Sequence, residues 1–233
     1  MEAAQPLPSV SQVYLFLGRC FSYPEEEFYR LMADGRTGEQ LRAMVEGLPF
    51  AVNFTGIPAP SLPQEELESE YISSFDIAFG PSLPCSLYES GHREDVSSTD
   101  ITEELLRFYE HFQVKLGDKE RDYPDHLVVE LEFMAYLAKK EGDALKREND
   151  PAPYRFAQAD FLERHLEKWV SRLDESIQKR IKEPFYRGAS AFLREFLSNH
   201  LPYLRKSVGH QVDAAKGPEG RWQGGRVTSS TPT

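Results

Sequence analysis

Cysteine is nearly absent: Cys20 and Cys85 are the only two in 233 residues, far apart and in no C-x-x-C pair, which speaks against a disulfide scaffold and a zinc knuckle. No stretch approaches the roughly 18 consecutive apolar residues of a membrane span. The opening MEAAQPLPSVSQVYLFLG has no basic leader and no small-residue cleavage site, so it does not read as a secretory signal. A reducing cytoplasm is the expected location. Positive charge is also short, with 27 Lys and Arg against 38 Asp and Glu and a net charge of −11. That is the wrong sign for a protein that binds by neutralising phosphates, so nucleic acid and anionic membrane are not expected partners. An acidic surface favours basic ligands, although most such charge is the solvated face of helices. Local catalytic signatures are missing too: no nucleophile elbow, no glycine-rich phosphate loop, no H-E-x-x-H.

What is present is helical periodicity. Apolar content of 40% with 12% aromatics supplies a sizeable core. Val10, Val13, Tyr14, Leu17 and Phe21 recur at i, i+3, i+4 and i+7. Ser22 with Glu25 has the form of a capping box before Phe28, Leu31 and Met32, and Asp100 with Glu103 has it before Leu105, Leu106, Phe108, Tyr109 and Phe112. Leu41, Met44, Val45 and Leu48 make a short stripe, and Leu67, Tyr71, Ile72 and Phe75 another. Leu127, Leu131, Met134 and Leu137 line a helix that can begin near Pro124. Phe161 to Ile177 reads as one long amphipathic helix, and Phe185 to Leu197 as the last, stopping at Pro202. No alternating β-branched runs are joined by Asn-Gly or Asp-Gly. The expectation is a single all-α globular domain over residues 1–206. Residues 207–233, poor in apolar and rich in small residues, are expected to form a disordered tail. Residues 80–99 read as an ordered, packed loop of about 20 residues, a length that is usually functional or disordered.

Asp125 and His126, in DYPDHLVVELEFM, invite an acid and base reading. His126 and Glu130 at i, i+4 could offer two metal ligands, but the other histidines are scattered. The structural alternative is that Asp122 or Asp125 caps the helix, with His126 hydrogen-bonded at its entrance.

The order of these residues resembles the TorD/DmsD/NarJ family of molybdoenzyme-specific chaperones. Tyr123, Pro124, Asp125, His126 and Leu127, followed by Glu130, Leu131, Phe133 and Met134, resemble its Pro-Asp-His-Leu helix head. Tyr71, Phe75, Phe79, Gly80, Pro81, Pro84, Tyr88, Glu89 and Ser90 resemble its spaced aromatics and proline-rich Y-E-S loop. FLERHLEKWV and FYRGASAFLREFL resemble two later segments, so the likeness covers most of residues 10–200. Leu87 and Gly91-His92 depart from the family pattern.

The resemblance implies a TorD-like helical chaperone and not an enzyme. It would bind the twin-arginine signal peptide, the unfinished catalytic subunit of a DMSO-reductase-type enzyme, or both, until bis-molybdopterin guanine dinucleotide is inserted, holding the subunit before export or assembly. No cofactor of its own is expected. Asp125, His126, Glu130 and Glu89 would make the polar edge of the peptide site. Phe79, Pro81, Tyr88 and Leu127 would wall its apolar part, with Tyr123, Pro124, Gly80 and Ser90 completing the two motifs. GDKERD, residues 117–122, could act as a hinge, leaving a monomer and a domain-swapped dimer both open. A small helical enzyme or a nucleotide-binding regulator using the Asp125-His126 region are the alternatives.

Overall fold

A computed structural model describes residues 9–75, 85–115 and 123–215. Among them lie nine α-helices and no strand: α1 Ser9–Cys20, α2 Glu26–Ala33, α3 Arg36–Glu46, α4 Gln64–Phe75, α5 Ser98–His111, α6 Leu127–Lys146, α7 Ala152–Arg164, α8 Leu166–Arg180 and α9 Pro184–Ala215. The expected hinge, residues 117–122, falls outside the described residues. Helix α1 lies against α6, while α9 packs along α7 and α8.

The apolar stripes explain that arrangement. Val13, Tyr14, Phe16 and Leu17 of α1 and Leu131, Met134 and Leu137 of α6 are all buried, each contributing about 1.5–3 kcal/mol. Ser11 Oγ donates to the Ala135 carbonyl at 2.9 Å, and Tyr14 OH meets His200 Nδ1 of α9 at 2.8 Å. The stretch between α3 and α4 runs over α9, where a Cβ at Gly188 would sit 2.5 Å from Pro58 Cδ. Buried Glu183 secures this crossing, accepting from Ser61 N–H at 2.9 Å, Ser61 Oγ at 2.8 Å and Phe185 N–H at 3.1 Å. Both cysteines are free and buried, and burial pushes the Cys85 thiol up to about 11.

Several boundaries differ from the sequence reading. The long helix expected over 161–177 is two, divided at His165, whose φ of −119° and ψ of −93° leave the helical region. Helix α9 passes through Pro202 and continues to Ala215, so residues 207–215, expected within the tail, are helical. An interior proline forfeits one backbone hydrogen bond, but Leu201 and Leu204 stay buried on either side of it. Ser22 does not cap α2; its hydroxyl donates to the Gly18 carbonyl at 3.0 Å and closes α1 instead. Helix α5 starts earlier than expected, with Ser97 as its cap accepting from Asp100 N–H at 3.1 Å.

Candidate functional site

The segment leading out of the loop lies along the head of α6. Leu127 N–H donates to the Leu87 carbonyl at 2.8 Å and Glu89 N–H to the Asp125 carbonyl at 2.9 Å, so Tyr88 and His126 form an antiparallel bridge. Ser90 N–H then donates to Asp125 Oδ2 at 3.2 Å. Tyr109 of α5 secures the other side, its hydroxyl donating to the Pro124 carbonyl at 2.8 Å. Loop and helix head are thus one hydrogen-bonded unit.

The N-cap of α6 is His126, whose Nδ1 accepts from Val128 N–H at 3.2 Å. Accepting that bond requires a lone pair on Nδ1, so the cap holds with the ring neutral and its proton on Nε2. This corrects the expected capping by Asp125, which serves Ser90; Asp122 lies outside the described residues. It also moves the start of the helix from near Pro124 to Leu127.

Beneath this unit sits a cluster of buried polar groups. Glu89 is fully buried. Its Oε1 accepts from Arg93 Nη1 at 2.7 Å and its Oε2 meets His165 Nδ1 at 2.8 Å. Arg93 also donates to Asp95 Oδ2 at 2.8 Å and to the Arg164 carbonyl at 3.1 Å, and its guanidinium holds the Asp95 carboxyl down to about 2. The kink at His165 therefore has a cause in tertiary structure, since it presents the ring to Glu89 from between two helices.

Glu130, one turn into α6, is also fully buried. Its Oε2 accepts from Trp169 Nε1 at 3.4 Å, and its Oε1 has no protein partner. Burial, then repulsion from Glu89, lifts its pKa well above the usual carboxylate range, with the Trp169 bond opposing. Glu130 is therefore held as the neutral acid. Trp169 stacks on His92 with ring centres 5.3 Å apart. His92 Nε2 donates to the Ser86 carbonyl at 2.7 Å, and burial lowers the pKa of its ring.

The structure thus brings together those of the expected residues that it describes, and sorts them into two layers. Tyr123 is 57% exposed, and Tyr88, Ser90, Pro124 and His126 are half-buried around it. The Tyr88 ring meets those of Tyr123 and His126 edge to face, at 5.9 Å and 4.9 Å. Glu89, Asp125, Glu130 and Leu127 lie below and are buried. The polar edge expected from the three acids is therefore not a solvent-facing edge, and Leu127 belongs to the core. The reason is that Glu89 faces Arg93 and His165, Asp125 faces the loop backbone, and Glu130 faces Trp169. Phe79, Gly80 and Pro81 lie outside the described residues. Sequence reading did not assign His92, Arg93, His165, Trp169 or Arg172 to the site. Arg93, four residues after Glu89, was a visible signal; the Arg172 bond to the His92 carbonyl at 2.6 Å had none.

Among the described residues no cluster of three or more His, Cys, Asp or Glu could hold a metal ion, and no helix is long and apolar enough to cross a membrane. Asp125 and His126 are both engaged with backbone N–H groups that shape the helix head.

Comparison with known proteins gives a consistent answer. Residues 33–175 match the family described as nitrate reductase delta subunit. The chain is 35% identical over 203 residues to the chlorate reductase assembly chaperone protein of Ideonella dechloratans, spanning 87% of this chain and 91% of the relative. It is 37% identical over 157 residues to the selenate reductase assembly chaperone protein of Thauera selenatis, spanning 67% and 70%. Its fold is similar to the crystal structure of a protein assigned to redox enzyme maturation from Archaeoglobus fulgidus, with a TM-score of 0.51 and 20% identity over 85% of this chain and 98% of the other. The chain therefore belongs to the nitrate reductase delta subunit family, the assembly chaperones of the NarJ and TorD type, and is a chaperone rather than a catalyst.

Proposed function

We propose that this protein holds the unfinished catalytic subunit of a molybdenum oxidoreductase in the cytoplasm while its cofactor, bis-molybdopterin guanine dinucleotide, is inserted. In this reading it recognises the subunit through a twin-arginine signal peptide. The relatives support the maturation role, since they are assembly chaperones for chlorate, selenate and perchlorate reductases and for a dimethyl sulfide dehydrogenase. The observation that carries the site is the aromatic surface of Tyr88, Tyr123 and His126, held rigid by the loop-to-helix pairing below it.

Such a surface suits a peptide that combines guanidinium groups with an apolar stretch. Guanidinium over an aromatic face gains about 0.5–2 kcal/mol, and the apolar stretch gains by leaving water. The buried carboxylates act indirectly: Glu89 and Asp125 position the surface, and their charge adds to the acidic field that attracts a cation. Ordering a flexible peptide costs about 2–5 kcal/mol, so the isolated peptide is expected to bind near micromolar, about 8 kcal/mol. Tighter holding of the whole subunit then requires a second contact acting through effective concentration.

Calorimetry with a synthetic peptide carrying paired arginines and an apolar run tests this. Tyr123→Ala combined with His126→Asn, which retains a capping side chain, should weaken binding by about tenfold, or 1.4 kcal/mol, with helix content unchanged. Undiminished affinity in that double variant would remove this surface from the site.

A further inference from the structure

Helix α8 and the turn into α9 carry a surface whose sign is opposite to that of the chain as a whole. Between residues 168 and 187 lie Lys168, Arg172, Lys179, Arg180, Lys182 and Arg187, all exposed. The acids of that stretch are Asp174, Glu175 and Glu183, which leaves it a net charge of +3 in a chain of net −11. Two of the three turn inward: Asp174 is buried against Ser190 and Arg194, and Glu183 against Ser61. Glu175 alone is exposed. Lys168, Arg172 and Lys179 recur with it at i, i+4, i+7 and i+11, so they share the face of α8 that lies opposite buried Leu166, Leu173 and Ile177.

Helix stability does not account for this strip. A cation is favourable in the last turn of a helix, which covers Lys179 and Arg180, but unfavourable in the first. Lys168 is the third residue of α8, Arg187 is the fourth of α9, and Lys182 stands two residues before α9 begins. Lys168 and Arg172 also repel each other at i, i+4. Elsewhere several arginines are matched, Arg155 with Glu141, Arg164 with Glu104 and Asp160, and Arg205 with Glu163. None of the six cations here is in an ion pair among the described residues. Asp95, whose charge reaches Arg172, is bonded through both oxygens to Arg93.

The strip adjoins the aromatic surface. His165, Trp169 and Arg172 follow one another at i, i+4 and i+7, and all three grip the loop: His165 meets Glu89, Trp169 stacks on His92, and Arg172 Nη1 donates to the His92 carbonyl. From Lys168 to Lys179 the helix advances about 16 Å, the length of about five extended residues.

We infer that this face of α8 binds a short acidic segment of the catalytic subunit, beside the aromatic surface that takes its signal peptide. The inference rests on that reading of the chaperone and supplies the second contact it calls for. Charge selects the partner, because carboxylates complement the unmatched cations. Length selects it too: a nucleic acid or a bilayer would run past the strip and meet the chain's acidic remainder, repelled within a Debye length of about 8 Å. Two weak contacts on either side of one loop then hold the same client through effective concentration.

Fluorescence anisotropy of a labelled decaglutamate peptide with the full-length protein tests this. The peptide should bind at low salt and lose about tenfold in affinity between about 0.02 M and 0.2 M salt. Lys168→Glu with Lys182→Glu, two exposed changes that leave circular dichroism unaltered, should weaken binding by about tenfold. Arg42→Glu with Lys139→Glu makes the same change in net charge on other exposed helix positions, and should leave affinity within about twofold. Absence of binding, or equal loss in the two pairs, would overturn the inference, since net charge alone would then decide. Tighter binding of phosphatidylglycerol vesicles or duplex DNA than of decaglutamate, lost with Lys168 and Lys182, would overturn it as well and assign the strip to phosphates. Tyr123→Ala with His126→Asn should leave decaglutamate binding unchanged, so failure of the peptide surface and failure of the strip are read apart.

Discussion

His165 and His200 are both buried and both lie against aromatic rings, but their polar partners differ. His200 packs against the rings of Phe50 and Phe196, which also touch each other, and its Nδ1 is bonded to the Tyr14 hydroxyl at 2.8 Å. His165 faces a carboxylate, Glu89, which is held in turn by Arg93. At the first site burial alone lowers the ring's pKa to about 3, and the histidine behaves as a core aromatic with one polar tip. At the second, ionisable groups are gathered under the loop and helix head that present Tyr88, Tyr123 and His126. Buried charge is costly to assemble, and here it is spent where a surface must be held in one geometry.

Removing Glu89 should separate the two regions most sharply. Glu89→Ala leaves the Arg93 guanidinium and the His165 ring without their shared partner, a loss of about 3–5 kcal/mol by the usual cost of breaking a buried pair. Urea unfolding followed by circular dichroism would measure it. A loss below about 1 kcal/mol would mean that the pair does not hold the loop.

The regions should also respond to pH with opposite sign. His200 has a folded pKa of about 3 against an ordinary 6.5. Below that ordinary value the unfolded chain takes a proton that the folded chain refuses, so stability falls as pH falls from about 6.5 toward 3, by up to about 1.4 kcal/mol per unit. His200→Phe should remove that slope while keeping the ring stack, as followed by urea midpoints across the acid range. Glu130 is displaced the other way. Its stabilising neutral form is fully present below the ordinary 4.5, and the contribution is lost as pH rises toward the raised folded value, because the unfolded carboxyl ionises first. Glu130→Gln keeps the shape and cannot ionise. It should therefore gain on the unsubstituted protein by about 1 kcal/mol between mildly acid and mildly alkaline buffer. Parallel pH profiles in the two proteins would mean that Glu130 is not held neutral.

Much of the fold was legible because helix periodicity is a local property. The stripes of α1, α6, α8 and α9 appear in the sequence at the spacing that the buried residues show. Caps were less legible, because several polar residues near each helix start could serve. Ser22 matched a capping pattern yet bonds back to Gly18, and Ser97 rather than Asp100 begins α5. The kink at His165 had no local sign, since Phe161 to Ile177 keeps a helical apolar pattern across it. It depends on a glutamate 76 residues away. The site followed the same division. DYPDHL and the Y-E-S loop were recognisable as a pair of segments, but their acids were expected at the surface and lie beneath it.

By itself the sequence determined that this chain would fold as packed amphipathic helices, since the spacing of apolar side chains along a helix is set by the backbone's own repeat. It also determined which two segments would carry the family's character. Only tertiary structure decided that Glu89, Asp125 and Glu130 face inward while Tyr88, Tyr123 and His126 face out. A carboxylate's burial depends on whether a guanidinium, an imidazole, an indole or a backbone N–H from elsewhere in the chain arrives to meet it, and no local pattern records that arrival.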